Sequence, residues 1–104
     1  MNNIGNFIHG KCEKGISKEF GIVFDPSTGE KKSQVVFSNS EDFRNVIQSS
    51  KKSFVNWSQF TPLKRSRILS KYKELIEKNL DDLATLISKE HGKTLEDSKG
   101  SVTR

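Results

Sequence analysis

The sequence has little cysteine, proline or alanine and no long apolar run. A single cysteine, Cys12, excludes an internal disulfide and a cysteine-based zinc site. No apolar run approaches the roughly 18–20 residues that a membrane span requires. The opening residues Met1–Phe7 carry neither the basic nor the apolar stretch of a signal peptide. A cytoplasmic protein is therefore expected, with neither a membrane nor a nucleic acid as partner. Alanine occurs once, as Ala84, against fourteen serines and seven asparagines, and arginine four times against fourteen lysines. This pattern of substitution marks a compositional bias, so the net charge of +5 is weak ground for a polyanionic partner.

What is present is enough for one domain at most: 104 residues, 32% of them hydrophobic. Leucine, isoleucine, valine and phenylalanine make up 28 of the 104, above the roughly one-fifth below which chains tend to remain disordered. The first fifty residues are electrically neutral; the remainder carries the whole excess of positive charge.

The fold class expected is an α+β fragment, with small antiparallel strands within residues 6–37 followed by three amphipathic helices and the start of a fourth. Residues 6–12 read as a short strand or half-hairpin around Gly10, and residues 13–19 as a loop. Phe20–Phe24 and Ser33–Phe37 read as strands of a hairpin. Between them, Asp25-Pro26-Ser27-Thr28-Gly29-Glu30 is a turn: Asp opens it, Pro presets φ, and Gly supplies the left-handed position. At Ser38 the apolar period lengthens from 2 to 3.6, and Ser38 with Glu41 forms a capping-box pattern. Phe43, Val46, Ile47, Ser50, Phe54 and Trp57 then share one face of a helix over about 39–57.

Thr61-Pro62 starts a second helix, about 62–78, whose stripe is Ile68, Leu69, Tyr72, Leu75 and Ile76. Asn79 divides it from a third, about 80–91, which has Asp81 and Asp82 in its first turn and Gly92 as its stop. Thr94 caps a fourth, about 95–104, in progress where the sequence ends. These apolar stripes exceed what so small a sheet can cover, so the piece is expected to belong to a larger body.

No catalytic constellation emerges from the residues. His9 and Cys12 stand three apart, but a metal needs three or four ligands, and the remaining candidate, His91, sits at a distant helix end. Cys12 has no base or electropositive helix end beside it in sequence. The lysines and arginines at 51, 52, 64, 65, 67, 71 and 73 read as a solvated face, since they interleave with Glu74 and Glu77 and since Trp57 and Tyr72 fall on stripes expected to be buried. Gly92-Lys93-Thr94 lacks the glycine that a phosphate loop requires at position 87, where Ile stands. Lys93 is instead expected to bond the last carbonyls of the preceding helix.

Several segments, in order, resemble the aldehyde dehydrogenases. Asn6-Phe7-Ile8-His9-Gly10-Lys11 resembles their opening F-I-x-G-x strand, and Asp25–Glu30 their N-P-x-T-G-E turn. Phe54–Ser58 is similar to A-F-x-x-W-S. Arg67-Ile68-Leu69 with Leu75, Ile76 and Asn79 is similar to R-x-x-x-L…L-I-x-x-N. Leu86–Thr94 is similar to their L-I-x-x-E-x-G-K motif. Within the family the chain most resembles the branch of acylating methylmalonate-semialdehyde dehydrogenases, with Tyr72-Lys73-Glu74-Leu75-Ile76 and with Glu90–Arg104 set against E-x-G-K-T-L-x-D-A-x-G-x-V-x-R-G. It departs from these patterns at Asp25, where Asn is usual, at Ser98, where Ala is usual, and at Ser101, where an acidic residue is usual.

The resemblance implies an N-terminal fragment, residues 1–104, of the α/β Rossmann-like cofactor domain of an oxidoreductase. The nucleophilic cysteine, the general-base glutamate and the NAD site would all lie beyond Arg104, leaving no catalytic, cofactor-binding or metal-binding residue in this segment. It further implies NAD as cofactor, coenzyme A as co-substrate, a small semialdehyde as substrate and a homo-oligomer, dimer or tetramer. Arg104 falls on the arginine of the G-x-V-x-R-G segment and would be substrate-binding, holding the substrate carboxylate; a guanidinium suits that task because its donors engage both oxygens. Alternatives are a non-acylating aldehyde dehydrogenase fragment and a stand-alone helical interaction module. Residues 1–104 alone are expected to form no NADH from any aldehyde, with or without coenzyme A, because a hydride acceptor and a nucleophile–base pair are both needed. NADH formation above that of a Cys12→Ser variant would overturn this.

Overall fold

The computed structural model describes residues 2–104. It divides into two units, one made of residues up to Phe24 with Glu30–Gln59, the other of Asp25–Gly29 with Phe60–Arg104. In the first unit, β1 (Asn2–Ile4), β2 (Asn6–Ile8), β3 (Lys11–Glu13), β4 (Phe20–Phe24) and β5 (Lys31–Val36) precede α1 (Ser40–Gln59). β2 and β3 form a hairpin with Phe7 opposite Cys12. Its two-residue turn, His9–Gly10, has φ of 51° and 75°, the left-handed pair that matches strand twist. The strands β1, β5 and β4 form a second sheet in that order.

Two expectations are corrected here. The strands are not all antiparallel and do not begin at residue 6: β1 pairs in parallel with β5, Ile4 opposite Val35. And β5 starts at Lys31, because a register irregularity at Val23/Phe24 brings Lys31 opposite Phe24.

The start of α1 is also capped differently from the Ser38/Glu41 pairing. Asn39 caps instead: its Oδ1 accepts from the N–H groups of Glu41 and Asp42, both at 3.0 Å. Asp42 reaches back to accept from the Asn39 N–H at 3.1 Å, completing a capping box one residue later. The same carboxylate accepts from the N–H groups of Ile16 (2.7 Å) and Ser17 (3.2 Å), which ties the loop before β4 to the helix start. Asp42 is 4% exposed. The Ile16 N–H above all, then those of Asn39 and Ser17, hold its carboxyl below the ordinary carboxylate range, against the opposing pull of burial.

The second unit holds α2 (Pro62–Lys78), α3 (Leu80–His91) and α4 (Leu95–Thr103). Thr61 Oγ1 accepts from the Lys64 N–H, and Pro62 occupies the first turn, where no N–H is missed. Asn79 closes α2, its side-chain amide donating to the Leu75 carbonyl at 2.7 Å, and precedes α3. Thr94 Oγ1 caps α4 through the Asp97 N–H. α3 packs on α4; Ala84 from one and Ser98 from the other are fully buried, and such small side chains let two helices approach closely.

Among the described residues, Val36 and Ala84 are the only apolar ones that are buried. The helical stripes form as expected but are not covered: Phe43 is 63% exposed, Phe54 62% and Tyr72 62%. The expectation of burial for Tyr72 is thus corrected.

Asp42 generates a pH prediction. Its folded-state pKa lies below its unfolded value, so its stabilisation is complete above the unfolded value and is lost as pH falls through the folded one. Protection of the Ile16 and Ser17 amides against hydrogen exchange, relative to their intrinsic rates at each pH, should fall over that acid window. Asp42→Asn should lower it at neutral pH, and equal protection in both proteins would remove the clasp. At the helical crossing, Ala84→Leu should cost about 1–3 kcal/mol through overpacking. That corresponds to roughly five- to a hundredfold faster exchange of α4 amides; unchanged exchange would mean that the crossing has room.

Candidate functional site

The candidate residue, Arg104, lies just past the last turn of α4, its N–H donating to the Gly100 carbonyl at 3.1 Å. A chain of local determinants carries it there. Gly92 ends α3 with φ 74°, and its N–H donates to the Ser88 carbonyl at 2.9 Å. Only glycine adopts that conformation cheaply, and a Cβ at Gly92 would lie 3.2 Å from the Pro26 Cβ. The backbone then passes Lys93 and enters α4 at the Thr94 cap.

Beside Arg104, Leu69, Tyr72 and Ile76 of α2 and Leu80 of α3 line a mostly apolar cavity of about 380 Å³, whose border also includes Lys73 and Glu77. Lys73 and Glu77 pair with each other at 3.3 Å. Chemically the arrangement sets an exposed arginine beside an apolar wall. A guanidinium binds a planar anion through two parallel N–H donors, and an apolar wall raises the strength of that contact by excluding water.

Lys93 does not bond the last carbonyls of α3, as its position after a helix stop led one to expect. Its Nζ donates to Ser101 Oγ of α4, while its own carbonyl accepts from Ser88 Oγ at 2.8 Å. Ser101 Oγ in turn donates to the Asp97 carbonyl at 3.2 Å. No periodicity announces this link; the signal is a lysine and a serine eight residues apart across a helix-joining loop.

The other chemistry-bearing residues remain dispersed. His9 sits in the β2–β3 turn, Cys12 is an exposed free thiol on β3, and His91 ends α3. Among the described residues no three His, Cys, Asp or Glu side chains gather as a metal site, and no helix is long and apolar enough to cross a membrane. The exposure of Tyr72 removes one reason given against a nucleic-acid face, while the Lys73–Glu77 pair leaves the interleaving of opposite charges in place.

A dinucleotide's pyrophosphate needs a glycine-rich strand-to-helix turn, and here β5 passes into α1 through Phe37-Ser38-Asn39, without a glycine.

Comparison with known proteins bears on what the segment is part of. The pattern of the aldehyde dehydrogenase family matches residues 14–104. A mitochondrial protein of Dictyostelium discoideum assigned as an acylating methylmalonate-semialdehyde/malonate-semialdehyde dehydrogenase is 40% identical over 98 residues, covering 94% of this chain and 19% of its own. Malonate-semialdehyde dehydrogenase 3 of Bacillus cereus is 37% identical over 101 residues, covering 97% of this chain and 21% of its own. A crystal structure assigned to methylmalonate-semialdehyde dehydrogenase from Sinorhizobium meliloti, complexed with NAD, superposes with a TM-score of 0.97 at 35% identity, over 100% of this chain and 21% of that one. The chain thus spans about a fifth of the length of the relatives it matches. With its strands and four helices matching a fifth of that fold, the chain belongs to the aldehyde dehydrogenase family.

Proposed function

We propose that this chain is the N-terminal part of an NAD-dependent, CoA-acylating dehydrogenase of malonate or methylmalonate semialdehyde. The complete enzyme oxidises the semialdehyde and decarboxylates it, and coenzyme A takes the acyl group as acetyl-CoA or propionyl-CoA. One observation supports this most: the semialdehyde dehydrogenase of Dictyostelium discoideum, assigned as acylating, aligns over 94% of the chain at 40% identity. The NAD in the Sinorhizobium meliloti structure supports NAD as cofactor. The exposed thiol of Cys12 suits a reducing compartment such as the cytoplasm. The uncovered apolar stripes suit a segment packed inside a larger homo-oligomeric enzyme.

Within this segment the substrate contact is Arg104, whose guanidinium holds the carboxylate that distinguishes these semialdehydes from plain aldehydes. No other step falls on residues 1–104; the nucleophile, the base and the cofactor site belong to the rest of the enzyme. Production of acyl-CoA from the semialdehyde by the complete enzyme tests the reaction; NADH formed equally with and without coenzyme A, with a free acid as product, would point to the non-acylating chemistry.

Arg104→Leu tests the residue. Truncating one partner of a desolvated charge pair costs roughly 2–5 kcal/mol. The ratio of kcat/KM for the semialdehyde to kcat/KM for propanal should therefore fall roughly thirty- to several-thousandfold. A solvated helix-end arginine would leave that ratio unchanged, consistent with surface substitutions staying within about 0.5 kcal/mol.

A further inference from the structure

We infer that Lys93 is a positioning residue for Arg104, acting through Ser101 and the last turn of α4; the inference rests on the carboxylate-holding role proposed for Arg104. The observations lie in one short stretch. α4 starts at Leu95 and ends at Thr103, so it has little more than two turns. A helix this short is marginal on its own and takes its direction from what holds it. Its first half is held by Ser98, fully buried where α4 packs on α3, and by the Thr94 cap. Its second half contains Gly100, a residue that loosens a helix interior. From outside the helix, Lys99 Nζ at its middle reaches Asp81 of α3 at 3.5 Å, and Lys93 Nζ bonds Ser101 Oγ in the second half.

The anchor at the other end of the strut is firm. Lys93 is half-buried, and its carbonyl is tied to Ser88 Oγ of α3. Ser101 accepts from the ammonium and donates its own proton to the Asp97 carbonyl, so its hydroxyl is used in both directions. Ser101 lies three residues before Arg104, and the Arg104 N–H is bonded to the Gly100 carbonyl beside it. The strut therefore fixes the turn from which the guanidinium projects. Fixing the base of a long side chain shortens the search for the geometry in which both donors meet both carboxylate oxygens, and displacements of about 1 Å in such positioning cost up to about a hundredfold.

The test uses the complete enzyme and the ratio of kcat/KM for a carboxylate-bearing semialdehyde to that for propanal. Lys93→Met should lower the ratio about ten- to a hundredfold, Ser101→Ala should lower it in the same direction, and Lys93→Arg should restore most of it. Ser101→Ala keeps the helix favourable and serves if Lys93→Met fails to fold. In the Arg104→Leu background, Lys93→Met should have no further effect on the ratio, because its action runs through Arg104. A Lys93→Met or Ser101→Ala enzyme that loses both substrates in proportion would show a structural role only and overturn the inference. Additive losses in the double variant would make Lys93 an independent substrate contact and overturn it too. If Arg104→Leu lowers the ratio and neither strut variant does, the inference fails while the role of Arg104 stands. If Arg104→Leu itself leaves the ratio unchanged, both fall.

Discussion

Backbone groups at the ends of helices and in loops must find partners, and in this chain small polar side chains supply them. The demand is acute because, among the described residues, Val36 and Ala84 are the only apolar ones buried, so packing contributes little locally to hold the elements in place. Asn39 and Asp42 complete the start of α1, Thr61 that of α2 and Thr94 that of α4, while Asn79 closes α2. Asp42 does most, since one carboxylate serves the Asn39 N–H of its own helix start and two N–H groups of the loop before β4. A charged acceptor forms stronger bonds than a neutral one. The abundance of serine and asparagine, which first reads as compositional bias, thus also meets a structural need.

The helices were legible because their ends are written in residue chemistry. Thr61-Pro62, Asn79 and Gly92 each have a local reason to stop or start a helix, and the structure breaks at those residues. The turn at Asp25–Gly29 was legible for the same reason: Asp25 Oδ1 accepts from the Ser27 N–H and Gly29 has φ 74°. What escaped depends on distant partners or on a choice between adjacent equivalents. β1 is three residues long, without alternation, and exists because β5 offers it a parallel edge about thirty residues away. Ser38/Glu41 and Asn39/Asp42 are two capping pairs one residue apart, and the loop at Ile16–Ser17, which needs an acceptor, matches the second.

The candidate site was legible only through resemblance. Nothing in composition or spacing singles out Arg104, a cation at the end of a helix already rich in polar residues. The geometry adds an apolar wall from α2 and α3 beside it, and the link from Lys93 to Ser101. The apolar stripe of α2, read as a core face, contributes Leu69, Tyr72 and Ile76 to that wall. A stripe that looks like packing material in sequence is here largely exposed surface.

Pro26 and Gly92 are 66 positions apart, yet the proline ring lies where a Cβ of residue 92 would be crowded. Residues 25–29 group with α2, α3 and α4, although the strands on either side of them belong to the other unit. The order of folding events is constrained accordingly. Each helix can nucleate from its own residues, but the bend between α3 and α4 gains its neighbour only after a loop of some sixty residues has closed. Closing such a loop costs about 0.6 kcal/mol more for each doubling of its length, and contacts of this sequence separation form slowly. On a ribosome, the β4–β5 turn emerges well before the bend it will meet. The packing of Pro26 against the bend that leads to Arg104 therefore depends on closing a loop of some sixty residues.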